Sequence, residues 1–258
     1  MRHAVRLCRA CGCLFRDPAW DDAELELVYS PEVWRLVEPY RPDTPEARAN
    51  NHERRQRMTE RILAELPGDG AARAIGDVGG RDGFYIAPFL DHGWSAAVID
   101  PVDALVVDPR IVRDPVTLAR HAGPPAFDAL VLSHVLEHVV DLAGFLGDVR
   151  RVLRPGGLVY AEVPYEVRRV LLRADLGDPS HQIYFATRTL RHLFEAAGFA
   201  VRRCARERTT YDEAHIQAIV VIAAPDGKGT ARRRSPGALH AVAEMLSSAA
   251  AALAHIRG

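Results

Sequence analysis

Ala74-Ile75-Gly76-Asp77-Val78-Gly79-Gly80-Arg81-Asp82-Gly83 is the stretch whose reading decides the fold. A short apolar run ends on an acidic residue and enters a turn with glycines at 79, 80 and 83, after which the pattern becomes helical. Glycine is needed where backbone must approach a ligand closely or adopt dihedrals that a Cβ would forbid. An ordinary strand-to-helix turn is the plain alternative, and the spacing of the next acidic residue argues against it. Asp100 ends the following apolar run, Ala96-Ala97-Val98-Ile99, about 20 residues after the turn, where a carboxylate can accept hydrogen bonds from both hydroxyls of a ribose. Alone, Asp100 would read as a cap ahead of Pro101. With the glycine turn it points to a nucleoside.

Outward from this stretch, short apolar runs alternate with helical segments, as in a parallel sheet covered on both faces. Strands are expected near 74–78, 96–99, 110–113, 127–132, 157–163, 199–206 and 215–223, and helices near 82–92, 115–121, 141–153 and 187–197, the last stopped by Gly198. The fold class expected is therefore α/β: a Rossmann-like, doubly wound, mostly parallel sheet of seven strands.

Residues 1–20 read as a ribbon with a Cys-rich turn, and two lid helices follow. One spans Asp22 to Val37. The other is opened by Pro45, carries Met58, Ile62, Leu63 and Leu66 at helical spacing, and stops at Pro67-Gly68. The division expected is 1–68 for ribbon and lid, 69–224 for the nucleoside-binding domain, and 225–258 for a linker and an Ala-rich helix near 238–256 through which two copies could pair.

A chain of 258 residues with 48% hydrophobic content can bury one large core. Its net charge of −1 gives no general pull toward nucleic acid or an anionic membrane, so a small molecule is the partner expected and nucleic acid is not; Arg232, Arg233 and Arg234 form the one local basic run. No apolar run approaches the roughly 20 residues that cross a bilayer, and Met1-Arg2-His3-Ala4 leads into no signal-like segment, so a cytoplasmic protein is expected. Cys8, Cys11 and Cys13 crowd together with Cys204 far off, a pattern of reduced thiols and not of a secreted disulfide scaffold.

Over roughly residues 70–222 the sequence resembles the class I S-adenosylmethionine (SAM)-dependent methyltransferases. The matching blocks are Asp77-Val78-Gly79 through Gly83, Asp100, Phe127-Asp128-Ala129-Leu130-Val131-Leu132-Ser133-His134-Val135-Leu136-Glu137-His138, Leu153-Arg154-Pro155-Gly156-Gly157-Leu158, and Ala197-Gly198-Phe199. The resemblance implies SAM as cofactor. Gly79, Gly80, Arg81 and Gly83 would form the turn around its amino-acid tail, with Asp77 facing the ammonium. Asp100 would hold the ribose and Asp114 the adenine amino group, while Ser133 and His134 would border the methionine part. One departure stands out: Arg81 replaces the middle glycine of that family's loop, placing a large cation near a cationic cofactor.

His134, Glu137 and His138 are spaced i, i+3, i+4, and would share one face if helical; His181 lies in Pro179-Ser180-His181-Gln182-Ile183-Tyr184-Phe185. A neutral imidazole of His134, His138 or His181 could take a proton from the methyl acceptor. Alternatively, His134, Glu137, His138 and His181 resemble the Glu-x-x-Glu-His plus distal His set of metal-dependent O-methyltransferases, which implies a divalent metal; His134 in the first Glu position shifts the set toward zinc. The remaining reading is that Glu137 and His138 cap and brace their loop. A narrower resemblance, to sugar and natural-product C-methyltransferases, rests on Cys8-x-x-Cys11-Gly12 and Ser180-His181-Gln182-Ile183-Tyr184-Phe185. It implies a zinc site at Cys8, Cys11 and Cys13, completed by His3 or another residue. Ser180 stands where that family has its carboxylate base, and a second Cys pair is absent.

The function expected is methyl transfer from SAM to a small-molecule acceptor in a natural-product or sugar pathway. The rivals are a metal-assisted O-methyltransferase, a noncatalytic scaffold on the same fold, and a nicotinamide dehydrogenase. The last is disfavoured because nothing resembles a second nucleotide half.

Overall fold

A computed structural model describes residues 4–9, 11–21, 23–24, 27, 44–66, 72–102, 104–121, 123–167, 170 and 180–227. The expected helix over Asp22–Val37 lies almost wholly outside these residues. So do Pro67-Gly68, His3, the pair Arg168-Arg169, and the linker and terminal helix beyond 227 with their expected role in pairing two copies.

All seven expected strands form one sheet. They are β3 (Ala74–Val78), β4 (Ser95–Ile99), β5 (Val112–Asp114), β6 (Phe127–Ser133), β7 (Leu153–Pro164), β9 (Phe199–Tyr211) and β10 (Ala214–Pro225), in the order β5-β4-β3-β6-β7-β10-β9. β3 to β7 run parallel, and β10 is antiparallel to both β7 and β9. Every residue of β3 is buried, as the continuous apolar reading requires.

Alternate residues of the central strands feed two separate cores. Ala129 and Val131 join Ile75, Met58, Ile62, Phe89 and Trp94 on one face, beneath α1 (Pro45–Glu65) and α2 (Pro88–Asp91). Leu130 and Leu132 join Leu146, Val149, Leu190 and Phe194 on the other, beneath α3 (Leu142–Val152) and α4 (Thr187–Ala196). The period of two along a strand and the right-handed crossover through helices give this layering.

Local chemistry sets the ends of the elements. Thr44 caps α1 by accepting from the N–H of Ala47 at 3.1 Å, with Pro45 in its first turn. Asp141 caps α3 through the N–H of Gly144 at 3.0 Å. Gly198, at φ +83°, follows α4. Two expected helices are much shorter than their patterns suggest. Residues 84–87 form turns before α2, because Pro88 removes an N–H from the middle of the expected 82–92 helix, and 115–121 reduces to a single 3₁₀ turn over Leu118–Arg120. The expected turn at Arg154-Pro155-Gly156-Gly157 is an irregularity inside β7. There the pairing slips between Phe127 and Ala129, and a Cβ on Gly157 would lie 3.0 Å from the carbonyl oxygens of Arg154 and Asp128.

A second, antiparallel sheet of three strands joins β1 (Ala4–Leu7), β2 (Leu14–Asp17) and β8 (Ile183–Tyr184). The Cys-rich ribbon thus pairs with the chain immediately after His181. This pairing matters for the site.

Candidate functional site at the carboxyl edge of the sheet

Because β3, β4 and β6 are parallel neighbours, Val78, Ile99 and Ser133 end at the same edge of the sheet. In the turn that follows β3, Gly79, Arg81 and Gly83 take φ of +69°, +48° and +75°. Arg81 therefore keeps the left-handed backbone for which a glycine is the natural residue, at a strain of about 1–2 kcal/mol. Its neighbours hold it there. The Arg81 N–H donates to Oδ2 of Asp100 at 3.0 Å, and the Arg81 carbonyl accepts from Nη1 of Arg113 at 3.0 Å. Arg113 also donates to the carbonyls of Ala104 at 2.9 Å and Val102 at 2.6 Å, so one guanidinium ties the glycine turn to the loop after β4.

Asp77 lies beneath this turn with 1% of its surface exposed, and its Oδ2 has no hydrogen-bond partner among the described residues. A Cβ on Gly80 would sit 2.3 Å from the Asp77 carboxyl carbon, so the backbone rests directly on that carboxyl. Burial, then the nearby carboxylates of Asp100 and Asp82, push the Asp77 carboxyl well above the usual carboxylate range, against the pull of Arg54. A cation entering here would relieve that cost.

Asp100 is also buried, and its two oxygens already accept from the N–H groups of Arg81 and Val102, the latter at 2.8 Å. It anchors the loop first, and each oxygen retains a second lone pair for a ligand. The Asp114 carboxylate contacts Nδ1 of His121 at 2.5 Å.

At the end of β6, Ser133 accepts from Nη2 of Arg54 at 2.7 Å. Arg54 reaches across from α1 and is itself buried. Its Nε donates to Oε1 of Glu162 on β7 at 2.9 Å and its Nη1 to the hydroxyl of Tyr85 at 2.5 Å, and its guanidinium lies over the rings of Tyr85 and Tyr211. Burial opposes the Arg54 charge, but Glu162 together with Tyr85, Tyr211 and Tyr160 more than offsets it. This network was not anticipated from the sequence. Its signal was an arginine on the face of α1 that also carries Met58 and Ile62, spaced i, i+4, i+8.

His134 sits at φ +55°, its N–H bound to the carbonyl of Glu162 at 2.8 Å and its ring centroid 5.0 Å from that of Tyr211. Its backbone conformation breaks any helix, so the expected shared helical face does not form, and Leu136–His138 is a single 3₁₀ turn. The side chains converge nonetheless. Nδ1 of His134 lies 3.3 Å and Nε2 of His138 4.0 Å from Oε1 of Glu137, whose carboxylate is 1% exposed. His181 reaches the same place from the segment before β8, its ring centroid 4.9 Å from that of His138. Donor atoms of Glu137, His138 and His181 all lie within 4.8 Å of one another, the one group of three or more such donors at that spacing among the described residues. Among the described residues neither oxygen of Glu137 has a hydrogen bond of good geometry, the His134 contact being an ion-pair distance. Burial opposes the Glu137 charge, but His134, His138 and His181 outweigh it and hold the carboxyl at about 2.

In the ribbon turn, Cys13 is buried and Cys8 and Cys11 partly so. The hydrogen bond from Cys13 brings Cys11 down to about 5, while the same contact and burial push Cys13 up. Tyr160, Tyr165 and Tyr184 are buried packing residues.

The fold and edge geometry are those of a nucleoside-binding methyl-transfer domain, and the comparisons with known proteins agree. A family described as "Methyltransferase domain" matches residues 51–203, and the chain belongs to that family. Those residues carry a SAM-dependent methyltransferase domain. The ubiquinone biosynthesis O-methyltransferase of Caulobacter vibrioides is 28% identical over 139 residues, covering 46% of this chain and 54% of the relative. The chain thus spans about half the length of that curated relative. Two solved structures share the fold. One is 1,6-didemethyltoxoflavin-N1-methyltransferase of Burkholderia thailandensis with bound S-adenosylhomocysteine (SAH), at TM-score 0.54 and 18% identity, covering 86% of this chain and 99% of that one. The other is magnesium protoporphyrin IX methyltransferase of Synechocystis PCC 6803 with bound SAH, at TM-score 0.55 and 13% identity, covering 75% and 92%.

The residues present fit SAM. Asp77 offers an unsatisfied buried carboxyl to a cation, and glycine-permitted backbone lies over it. No helix among the described residues is long and apolar enough to cross a membrane.

Proposed function

We propose that the protein transfers the methyl group of SAM to a small-molecule acceptor of a biosynthetic pathway, with the histidine cluster beside Ser133 handling the acceptor's proton. The observation that carries this reading is the buried Asp77 carboxyl under the glycine turn, whose Oδ2 has no hydrogen-bond partner among the described residues, on the same sheet edge as Asp100 and His134. SAM, when bound, supplies an electrophilic methyl on a sulfonium. Asp77 would pair with its ammonium, the free lone pairs of Asp100 would accept from its ribose, and Asp114 would meet the adenine side. The fixed turn would align the reacting atoms, which is the main source of rate in such a displacement. A hydroxyl acceptor would lose its proton to an imidazole nitrogen of His138 or His181 as it takes the methyl group, and the Glu137 carboxylate would stabilise the imidazolium formed. His134, whose Nε2 is buried without a hydrogen-bond partner among the described residues, would close the side facing Tyr211. The name of the Caulobacter relative favours an oxygen as the acceptor atom.

Isothermal titration with SAM and SAH tests the cofactor, with Asp100→Ala expected to abolish the heat seen for the wild type. No heat with either ligand would leave a scaffold function. Radiolabel from methyl-labelled SAM is expected in the low-mass fraction of a cell extract, and its appearance in protein or RNA alone would overturn the acceptor class.

A second reading is favoured by Glu137, which is buried beside the imidazoles of His138 and His181 with neither oxygen in a hydrogen bond of good geometry among the described residues. Two nitrogens and one carboxylate oxygen suit zinc or a similar divalent ion, which would hold the acceptor oxygen. Elemental analysis after dialysis against zinc is expected to give one ion per chain in the wild type and none in Glu137→Gln. No ion in either would remove this reading.

A further inference from the structure

We infer that Glu166, on the segment after β7, is a positioning residue that fixes the tautomer and direction of the His181 imidazole; this rests on the proposed role of His181. Oε2 of Glu166 lies 2.6 Å from Nδ1 of His181, and both side chains are largely withdrawn from water, at 14% and 10% exposed. A carboxylate can only accept at this contact, so Nδ1 carries a proton, and in the neutral ring Nε2 keeps its lone pair. His138 is set in the same way. Its Nδ1 lies 3.3 Å from the Ser180 carbonyl, another group that only accepts. Both imidazoles therefore keep Nε2 as a lone-pair donor in the cluster around Glu137, where either a proton acceptor or a metal ligand is called for.

The rest of the segment is fixed independently of Glu166. Nε of Arg16 donates to the His181 carbonyl at 3.2 Å, and the Arg16 N–H donates to the Gln182 carbonyl at 2.8 Å, beside the β2 to β8 pairing. The Gln182 N–H donates to the Glu137 carbonyl at 2.7 Å. Backbone position is thus set by the ribbon and by Glu137, and Glu166 sets the ring. The Arg16 contact thus joins the Cys-rich ribbon to the histidine segment across 165 residues of sequence.

Nitrogen-15 correlation spectra of the histidine rings in the full chain test the inference, with the His181 signals assigned by their loss in His181→Asn. For neutral His181 the wild type is expected to show the Nδ1–H form, with Nε2 as the unprotonated, downfield nitrogen. Glu166→Ala is expected to move His181 toward the Nε2–H form that free imidazole side chains favour. An Nε2–H form in the wild type, or a Glu166→Ala spectrum matching a wild-type Nδ1–H spectrum, overturns the inference; the wild-type result does not depend on the folding of Glu166→Ala. SAH titration of the same samples separates the two proposals. Equal affinity in wild type and Glu166→Ala is expected, whereas absence of binding in the wild type would strike the proposed function and leave the tautomer result standing.

Discussion

Nε of Arg54 on α1 lies 2.9 Å from Oε1 of Glu162 on β7, and each side chain is less than 5% exposed. The pair joins a covering helix to the centre of the sheet at the edge where the reaction is proposed. Removing one partner leaves a buried charge without compensation. Arg54→Met is expected to lower unfolding free energy by about 3–5 kcal/mol, and Glu162→Leu by a similar amount. The double variant should lose less than the sum, and chemical denaturation of all three in a mutant cycle measures the coupling. Additive losses would show the pair to be energetically independent.

Asp77 gives a pH dependence of defined sign. Its carboxyl in the folded chain holds a proton well above the usual range, so the folded state binds more protons than the unfolded one in that window. Stability therefore falls as pH rises from the ordinary carboxylate value near 3.8 through the raised one. Asp77→Asn should flatten this slope, raise the melting temperature of the free chain at pH 7, and weaken SAH binding, since the cation loses its partner. Melting curves against pH with and without SAH check all three; an unchanged slope would show that Asp77 is not the group responsible.

Two glycines separate steric need from backbone strain. Gly93→Ala meets nothing within 4 Å, but its φ is +77°, so it should cost about 1–2 kcal/mol of stability and leave SAH affinity alone. Gly80→Ala must displace the Asp77 carboxyl and should cost cofactor affinity at least tenfold. Calorimetry on both variants decides the matter, and wild-type affinity in Gly80→Ala would detach Asp77 from the binding site.

Arg113 is expected to act on affinity through loop order, since its guanidinium donates to the carbonyls of Arg81, Val102 and Ala104. Arg113→Met leaves these carbonyls, and that of Asp100, to water alone, a loss of about 1–3 kcal/mol. SAH affinity should fall with it, and amide hydrogen exchange should quicken at 79–83 and 100–106 but not in β6. Uniform exchange across the sheet edge would contradict a local clasp.

The histidine cluster shows where local rules stop. His134, Glu137 and His138 were legible as a set from their spacing, but the face they share comes from a 3₁₀ turn and the left-handed backbone of His134, not from a helix. His181 was legible as a residue and not as a neighbour. Arg54, Tyr85, Glu162 and Glu166 were missed, because each reads in sequence as an ordinary helix, loop or strand residue.

The sequence by itself determined the seven strands, their mostly parallel character and the glycine turn with Asp77 and Asp100. These depend on side-chain period, on φ that only certain residues take, and on spacing within one strand-turn-helix unit. Tertiary structure alone decided which polar side chains leave water together. Arg54 meets Glu162 across a separation of 108 residues, and Glu166 meets His181 across a separation of 15. Such meetings are fixed by the desolvation of whole elements against one another, a quantity that no local stretch of chain contains.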